Sequence, residues 1–162
     1  MQLDKHQAYQ QAIQEINAVL TGETNAILKM VTINCLLKQY LPYYFWVGFY
    51  CVNDGKLMVG PYQGTLGCLH ISFEKGICGR AAKMEETQLV QNVHEDPAHI
   101  ACDSRTNSEI VVPVKNNEGK LIAVFDVDST ELSAFDAIDQ KYIEQLIQEQ
   151  FEQAPLQMSY NN

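Results

Sequence analysis

Cysteines are the residues of this chain whose types and spacing most directly suggest chemistry. Five occur, at positions 35, 51, 68, 78 and 102, and their spacing contains no CxxC pair and no zinc-knuckle pattern. The chain is 46% apolar and needs no disulfide to support its core, and its start carries no apolar signal core. We therefore expect a cytoplasmic protein with reduced thiols, in which any disulfide is a step of a reaction.

The local sequence divides the five cysteines into two groups. Cys35 falls on an apolar helical stripe and Cys51 on an apolar strand face, so both are expected to fill the core. Cys68, Cys78 and Cys102 lie beside glycines or in a polar segment, where a thiol can be partly exposed. Cys78 in addition falls at an expected helix start, where the helix dipole favours a thiolate. The second group supplies the candidate nucleophiles.

Cys102 belongs to a long polar segment, Asn92 to Asn107, that has no hydrophobic period. A long loop in a compact domain is usually functional or mobile. His99 or Arg105 would lower the pKa of the Cys102 thiol, whereas the adjacent Asp103 would raise it. We expect His94, His99 and Asp103 to make hydrogen bonds within the loop rather than to transfer protons.

A metal site assembled in space is an alternative use of these thiols and imidazoles, although the sequence spacing gives it no support. Its candidate ligands are Cys68, His70, Cys78, His94, His99 and Cys102. We expect no metal and no bound cofactor.

Acidic side chains form a second candidate group. Strand alternation places Asp126 and Asp128 on one face, and Glu109 joins them if a tight hairpin turn pairs its strand with theirs. A solvated sheet face is the ordinary alternative for such residues. Trp46 and Tyr50 also share one face of a strand. Carboxylates and aromatic rings beside thiols suggest a pocket for a small cationic or zwitterionic substrate that undergoes thiol chemistry.

The elements that position these residues follow from hydrophobic periodicity. Two amphipathic helices within the first 40 residues precede strands joined by hairpin turns, and a helix from about 134 to 152 closes the chain. This pattern predicts an α+β fold with a central antiparallel sheet flanked by N- and C-terminal helices. The expected strands are 46–52 and its hairpin partner, a short strand near 68–71, 109–115 and 121–129, with a short helix after Gly76. We expect one domain over residues 1–152 and a polar tail over 153–162.

The charge balance restricts the partners. Against 11 Lys and Arg stand 20 Asp and Glu, so the net charge is -9. This charge repels phosphate backbones and anionic lipids, and no run of 18 apolar residues occurs. We expect neither nucleic acid nor membrane as a partner.

Several strings, taken in order, resemble the free methionine-R-sulfoxide reductases, which are GAF-domain enzymes that reduce the free amino acid. The strings are Trp46-Val-Gly-Phe-Tyr, Gly60-Pro-Tyr-Gln-Gly, Gly76-Ile-Cys-Gly, His99-Ile-Ala-Cys-Asp, Asn107-Ser-Glu-Ile-Val and Phe125-Asp-Val-Asp-Ser. The resemblance implies a GAF fold with helices on one side of the sheet, a homodimer, a role in oxidative stress and thioredoxin as the external reductant.

The resemblance also implies roles for individual residues. Cys102 corresponds to the nucleophile and Cys68 to the resolving thiol, while Cys78 is a third active-site cysteine that can assist or replace Cys68. The implied substrate-binding residues are Trp46, Tyr50, Glu109, Asp126 and Asp128, with Glu109 as the proton donor to the sulfoxide. Two alternatives remain from the residues: a GAF module that binds a small ligand, and a thiol redox sensor without a substrate.

Overall fold

The computed structural model describes residues 2–100 and 102–160, and within them the chain forms four α-helices and six β-strands. Met1 and the last two residues of the expected tail lie outside these ranges, and the domain limits stay a prediction. The helices are α1 (Lys5–Val19), α2 (Ala26–Tyr40), α3 (Gly76–Met84) and α4 (Ala137–Phe151). The strands are β1 (Trp46–Asn53), β2 (Lys56–Gln63), β3 (His70–Ser72), β4 (Gln88–Val90), β5 (Ser108–Lys115) and β6 (Leu121–Ser129).

All six strands form one antiparallel sheet in the order β3-β2-β1-β6-β5-β4. The predicted α+β class and the predicted hairpins are confirmed. Between β1 and β2, Asp54 and Gly55 both have positive φ, 53° and 76°, which suits the tight turn that follows the strand twist. The sequence analysis missed β4, which has only three residues.

One face of the sheet carries the main hydrophobic core. Period-two side chains of β1, β5 and β6, including Phe49, Ile110 and Phe125, pack there against α1, α2 and α4. The rings of Phe49 and Phe125 lie 4.8 Å apart, and Phe151 of α4 packs on Phe49 at 5.8 Å. None of the helices in the described ranges is long and apolar enough to cross a membrane.

The other face carries α3 and a second hydrophobic cluster. Ile77 and Ala81 of α3 pack with Tyr50, Val111 and Val124 of the sheet. The expectation that the helices lie on one side is therefore wrong for α3. This helix follows the short edge strand β3 and contacts β3, β4, β5 and β6. It covers the face opposite the three longer helices.

Cys35 is exposed rather than buried, so its expected core position is wrong. On α2 the buried stripe runs through Ala26, Met30, Ile33 and Leu37 at spacings of three and four. Cys35 lies off this stripe. Cys51 is partly buried and packs against the core, as predicted.

The last helix begins at Ala137, three residues later than expected, because Asp136 caps it. The Asp136 carboxylate accepts hydrogen bonds from the backbone N–H groups of Ile138 and Asp139, and the Asp139 side chain accepts one from the Asp136 N–H.

Asp139 is also fully buried and joins three elements. Its carboxylate accepts hydrogen bonds from Tyr9 at 2.7 Å and Tyr43 at 2.5 Å, and it pairs with Lys5 at 2.6 Å. Two of these partners belong to α1, so one carboxylate ties the first helix to the last.

We predict that Asp139→Ala lowers the free energy of unfolding by about 3 kcal/mol, because it removes the buried carboxylate that accepts from Lys5, Tyr9 and Tyr43 together. Urea denaturation measures the loss. Asp136→Ala, which removes a half-exposed cap, is the control and should cost only about 1 kcal/mol. Equal losses in the two variants would contradict the role of Asp139 as the link between the helices.

Candidate active site

Three carboxyl groups share the sheet face that α3 covers. Glu109 on β5 lies directly opposite Asp128 on β6, and Asp128 lies opposite Trp46 on β1. In the next row on this face, Asp126 lies between Val111 and Gly48. The predicted pairing that brings Glu109 to Asp126 and Asp128 is confirmed, and regular strands fix the spacing of the three.

Aromatic rings form one wall beside these carboxyl groups. Trp46 stacks on Tyr50 at 5.7 Å and on Tyr62 at 5.0 Å. The indole N–H of Trp46 donates a hydrogen bond to the backbone carbonyl of Thr65 at 2.8 Å. A Cβ on Gly67 would come within 2.9 Å of the Trp46 ring, so the loop before β3 lies tightly on this wall because position 67 has no side chain.

That loop carries Cys68, which forms a disulfide with Cys102. The two cysteines are 34 residues apart in the sequence and belong to the loops that precede β3 and β5. Cys102 is exposed and Cys68 is half-buried. The bond therefore links an exposed residue to a half-buried one, and Cys102 also lines a pocket.

Cys78 is a free thiol, buried in the first turn of α3 and facing the same pocket. Burial raises the pKa of this thiol well above its ordinary value, and the neighbouring charges of Asp126, Glu109 and Asp128 raise it further. The expectation that the helix dipole favours a thiolate here is wrong, because burial beside three carboxyl groups outweighs a partial charge at the helix end.

The carboxyl groups also resist ionisation. Burial raises the pKa of Asp126 to about 8, with the charge of Asp128 as the second cause. Burial likewise raises the pKa values of Glu109 and Asp128, and the charge of the neighbouring carboxylates, Asp126 for Glu109 and Glu109 for Asp128, adds to it. One oxygen each of Asp126 and Asp128 is buried without a hydrogen-bond partner. Such acceptors are costly unless a ligand supplies donors.

Polar contacts hold the loop between β4 and β5 in place. Asp103 accepts a hydrogen bond from the Thr65 hydroxyl at 2.6 Å and pairs with Arg105 at 2.8 Å. His94 shares a hydrogen bond of 2.7 Å with Asn107. The predicted loop hydrogen bonds of His94 and Asp103 are confirmed, and Thr65 is a partner that the sequence analysis missed.

A further anchor of this loop comes from α3. Arg80 pairs with Asp96 through two hydrogen bonds of 2.7 and 3.0 Å, and Arg80 also bonds Gln88 of β4. Gly76, where α3 begins, has a φ of 75° that only glycine adopts readily, and a Cβ there would meet Ile100 of the loop at 3.2 Å. These contacts with Arg80 and Gly76 therefore hold the loop against α3.

One pocket brings together all the candidate catalytic and substrate-binding residues identified from the sequence except Cys68, which is bonded to the lining residue Cys102, whereas His70 and His94 do not line it. His99 also lines it, and burial lowers the pKa of this imidazole, with the charge of His94 as the second cause. The sequence analysis missed Thr106 and Leu66. Their segments contain glycines or polar residues without a period, so no pattern assigned them to a face. The side chains that line this pocket include Trp46, Tyr50, Leu66, Cys78, His99, Ile100, Cys102, Thr106, Glu109, Asp126 and Asp128.

The geometry permits a metal only at one place in the described residues, where the Cys78 sulfur and one oxygen each of Glu109 and Asp126 lie within 4.8 Å of one another. Metal ligands must be deprotonated, and burial opposes that for all three groups. The alternative Cys/His site is not formed, since Cys68 and Cys102 are bonded to each other. The arrangement instead suits thiol redox chemistry beside a pocket rich in acceptors and neutral carboxylic acids.

Comparisons with known proteins agree with this chemistry. A family model for the GAF domain matches residues 42–149. GAF domain-containing protein A of Dictyostelium discoideum is 40% identical over 144 residues, which cover 88% of this chain and 90% of that protein. The free methionine-R-sulfoxide reductase of Saccharomyces cerevisiae is 36% identical over 151 residues, 89% of this chain and 84% of that protein. The X-ray structure of the free methionine-R-sulfoxide reductase from Neisseria meningitidis in complex with its substrate superposes with a TM-score of 0.86, at 37% identity over 90% of this chain and 87% of that one.

The raised pKa of Asp126 predicts a pH-dependent stability. Between pH 4 and pH 8 the unfolded chain loses the proton of residue 126 while the folded protein keeps it, so stability falls as pH rises through this window. For one retained proton the fall is about 1.4 kcal/mol per pH unit. We expect Asp126→Asn to remove this penalty, so that its unfolding free energy in urea exceeds that of the wild type at pH 8 by more than at pH 4.5. Glu118→Gln, at an exposed turn, is the control, and a pH-independent difference for Asp126→Asn would contradict the prediction.

Proposed function

We propose that this chain, which belongs to the GAF-domain family of the free methionine-R-sulfoxide reductases, reduces free L-methionine-(R)-sulfoxide to methionine. The observation that carries the proposal is the convergence, at one pocket, of a disulfide and three carboxyl groups, two of which have a buried acceptor oxygen without a hydrogen-bond partner. A thiol-dependent reductase of a free amino acid needs a redox-active cysteine pair and acceptors for the ammonium group of its substrate.

Substrate binding uses the acceptors on the sheet. The α-ammonium of the free amino acid supplies the donors that the buried oxygens of Asp126 and Asp128 lack. Its positive charge lowers the pKa of nearby carboxyl groups, so binding shifts protons within the cluster. Trp46 and Tyr50 hold the methyl and sulfur end, where contact between sulfur and aromatic rings is favourable.

The first chemical step is oxygen transfer to a thiol. Glu109, whose pKa burial keeps high, donates a proton to the sulfoxide oxygen. In the reduced enzyme the Cys102 thiolate attacks the sulfur of the protonated sulfoxide. In the net reaction the oxygen moves to Cys102, which is oxidised to a sulfenic acid, and the substrate sulfur is reduced to the thioether of methionine.

The second step regenerates the enzyme. The Cys68 thiol attacks the sulfenic sulfur of Cys102, water leaves, and the disulfide forms. Thioredoxin then transfers two electrons to this disulfide, so turnover needs no bound cofactor. The bonded Cys68–Cys102 pair supports this order, because it is the expected oxidised product.

Cys78 assists rather than resolves in this scheme. Its thiol is buried and kept protonated by the surrounding carboxyl groups, which suits a hydrogen-bond donor in the pocket. We further propose a cytoplasmic homodimer. A pure redox sensor would use the cysteines alone, and a ligand-binding module would need no disulfide, so neither uses all of the pocket.

A coupled assay tests the activity. With thioredoxin, thioredoxin reductase and free methionine-R-sulfoxide, the wild-type protein should oxidise NADPH, and Cys102→Ser should abolish this because no sulfenic acid can form. Cys35→Ser, at an exposed position on the opposite layer, is the matched control and should keep full activity. Absence of wild-type turnover would refute the reductase, and full turnover of Cys102→Ser would refute the nucleophile.

The resolving thiol is tested separately. Cys68→Ser should release about one methionine per active site in a single turnover and then cycle poorly, because Cys102 remains a sulfenic acid. Rapid quench with quantification of methionine measures the burst. Normal cycling of Cys68→Ser with thioredoxin would transfer the role to Cys78.

A further inference from the structure

Large apolar side chains surround the disulfide on the protein surface. Leu66 and Leu69 flank Cys68 in the sequence and are 76% and 60% exposed, and Ile100, two residues before Cys102, is 42% exposed. Leu66 and Ile100 line the same pocket as Cys102 and are both exposed, which places the two loops side by side at the surface. We call Leu66, Leu69 and Ile100 the apolar collar.

The two segments that bear the collar contain no acidic or basic residue other than histidine. No Asp, Glu, Lys or Arg occurs from Leu57 to Phe73, and the run 97–102 has none either, in a chain whose net charge is -9. Asp103, the nearest acidic residue to Cys102, is neutralised by Arg105 and bonded to Thr65. A second protein can therefore approach the disulfide without the repulsion that the rest of the acidic surface would cause.

None of the other cysteines described here is placed to reduce the pair. Cys78 is buried with a raised pKa, while Cys35 and Cys51 lie in the helical layer and at the core on the opposite face. The electrons must arrive from outside, through a dithiol that comes into direct contact with the Cys68–Cys102 bond. A collar of exposed leucine and isoleucine side chains around that bond is what such a contact would bury.

We propose that the apolar collar is the docking surface for the reducing dithiol protein, of the thioredoxin class, and that Leu69 is a recognition residue outside the substrate pocket. The inference rests on the proposed function for its biological context. One thiolate of the partner attacks a sulfur of the pair, the Cys68–Cys102 bond breaks, and a mixed disulfide and a free thiolate result. The second thiol of the partner then displaces the mixed disulfide, which leaves two reduced cysteines here and an oxidised partner.

Direct reduction of the isolated oxidised protein tests this without any sulfoxide. Reduced thioredoxin is mixed with the oxidised chain, and the loss of the disulfide is followed by thiol alkylation at timed intervals. Leu69→Ser should lower the second-order rate constant about tenfold, the effect of losing about 1.4 kcal/mol of contact. With dithiothreitol, which is too small to use the collar, Leu69→Ser should react at the wild-type rate.

Val19→Ser is the matched control, because Val19 is 58% exposed on α1 in the opposite layer. It should leave both rate constants unchanged. An unchanged thioredoxin rate for Leu69→Ser, an equal loss for Val19→Ser, or a parallel loss with dithiothreitol would each overturn the docking proposal. Absence of sulfoxide turnover in the coupled assay would refute the reductase instead, and leaves these rate constants as a separate result.

Discussion

Burial of three carboxyl groups on one sheet face is the constraint around which this molecule is organised. Glu109, Asp126 and Asp128 come from adjacent strands, and each would be solvated if its face were open. The fold covers them with α3 and the two cysteine-bearing loops instead. In the absence of a ligand, burial raises the pKa values of these groups and favours their protonated forms. A cationic ligand would lower those pKa values and cause the cluster to release protons.

One face of the sheet carries the main hydrophobic core, and the other face carries the candidate active site. The face toward α1, α2 and α4 is packed with phenylalanine and aliphatic side chains, and the buried Asp139 links the first and last helices. Packing on that face keeps the strands rigid. The same strands carry, on their other face, carboxyl groups whose burial is unfavourable for stability. Functional sites are commonly less favourable for stability than the scaffold that holds them, and here both lie on the same strands.

Most of the fold and of the site could be predicted because side chains alternate between the two faces of a strand with a period of two residues. Alternation placed Trp46 with Tyr50 on one face of β1 and Asp126 with Asp128 on one face of β6, and the hairpin turn predicted that Glu109 joins the two aspartates. The predictions that were wrong concern residues whose burial or pKa depends on side chains from other parts of the chain. Cys35 lies between Ile33 and Leu37 of the buried stripe of α2 but points away from it, and the pKa of Cys78 depends on burial and on carboxyl groups distant in sequence. The partner of Asp103, Thr65, belongs to a glycine-flanked loop with no period, so contact between the two loops was visible only in three dimensions.

The hydrogen bond between Thr65 and Asp103 has a consequence for the reduced protein. It joins the same two loops as the disulfide, across 38 residues of sequence, and we expect it to remain when the S–S bond opens because it contains no sulfur. The entropy of closing that long loop is therefore already lost before the thiols react. In the proposed mechanism the two sulfurs would then meet at a high effective molarity, and the resolving thiol would capture a sulfenic acid before a second oxidant converts it irreversibly to a sulfinic acid.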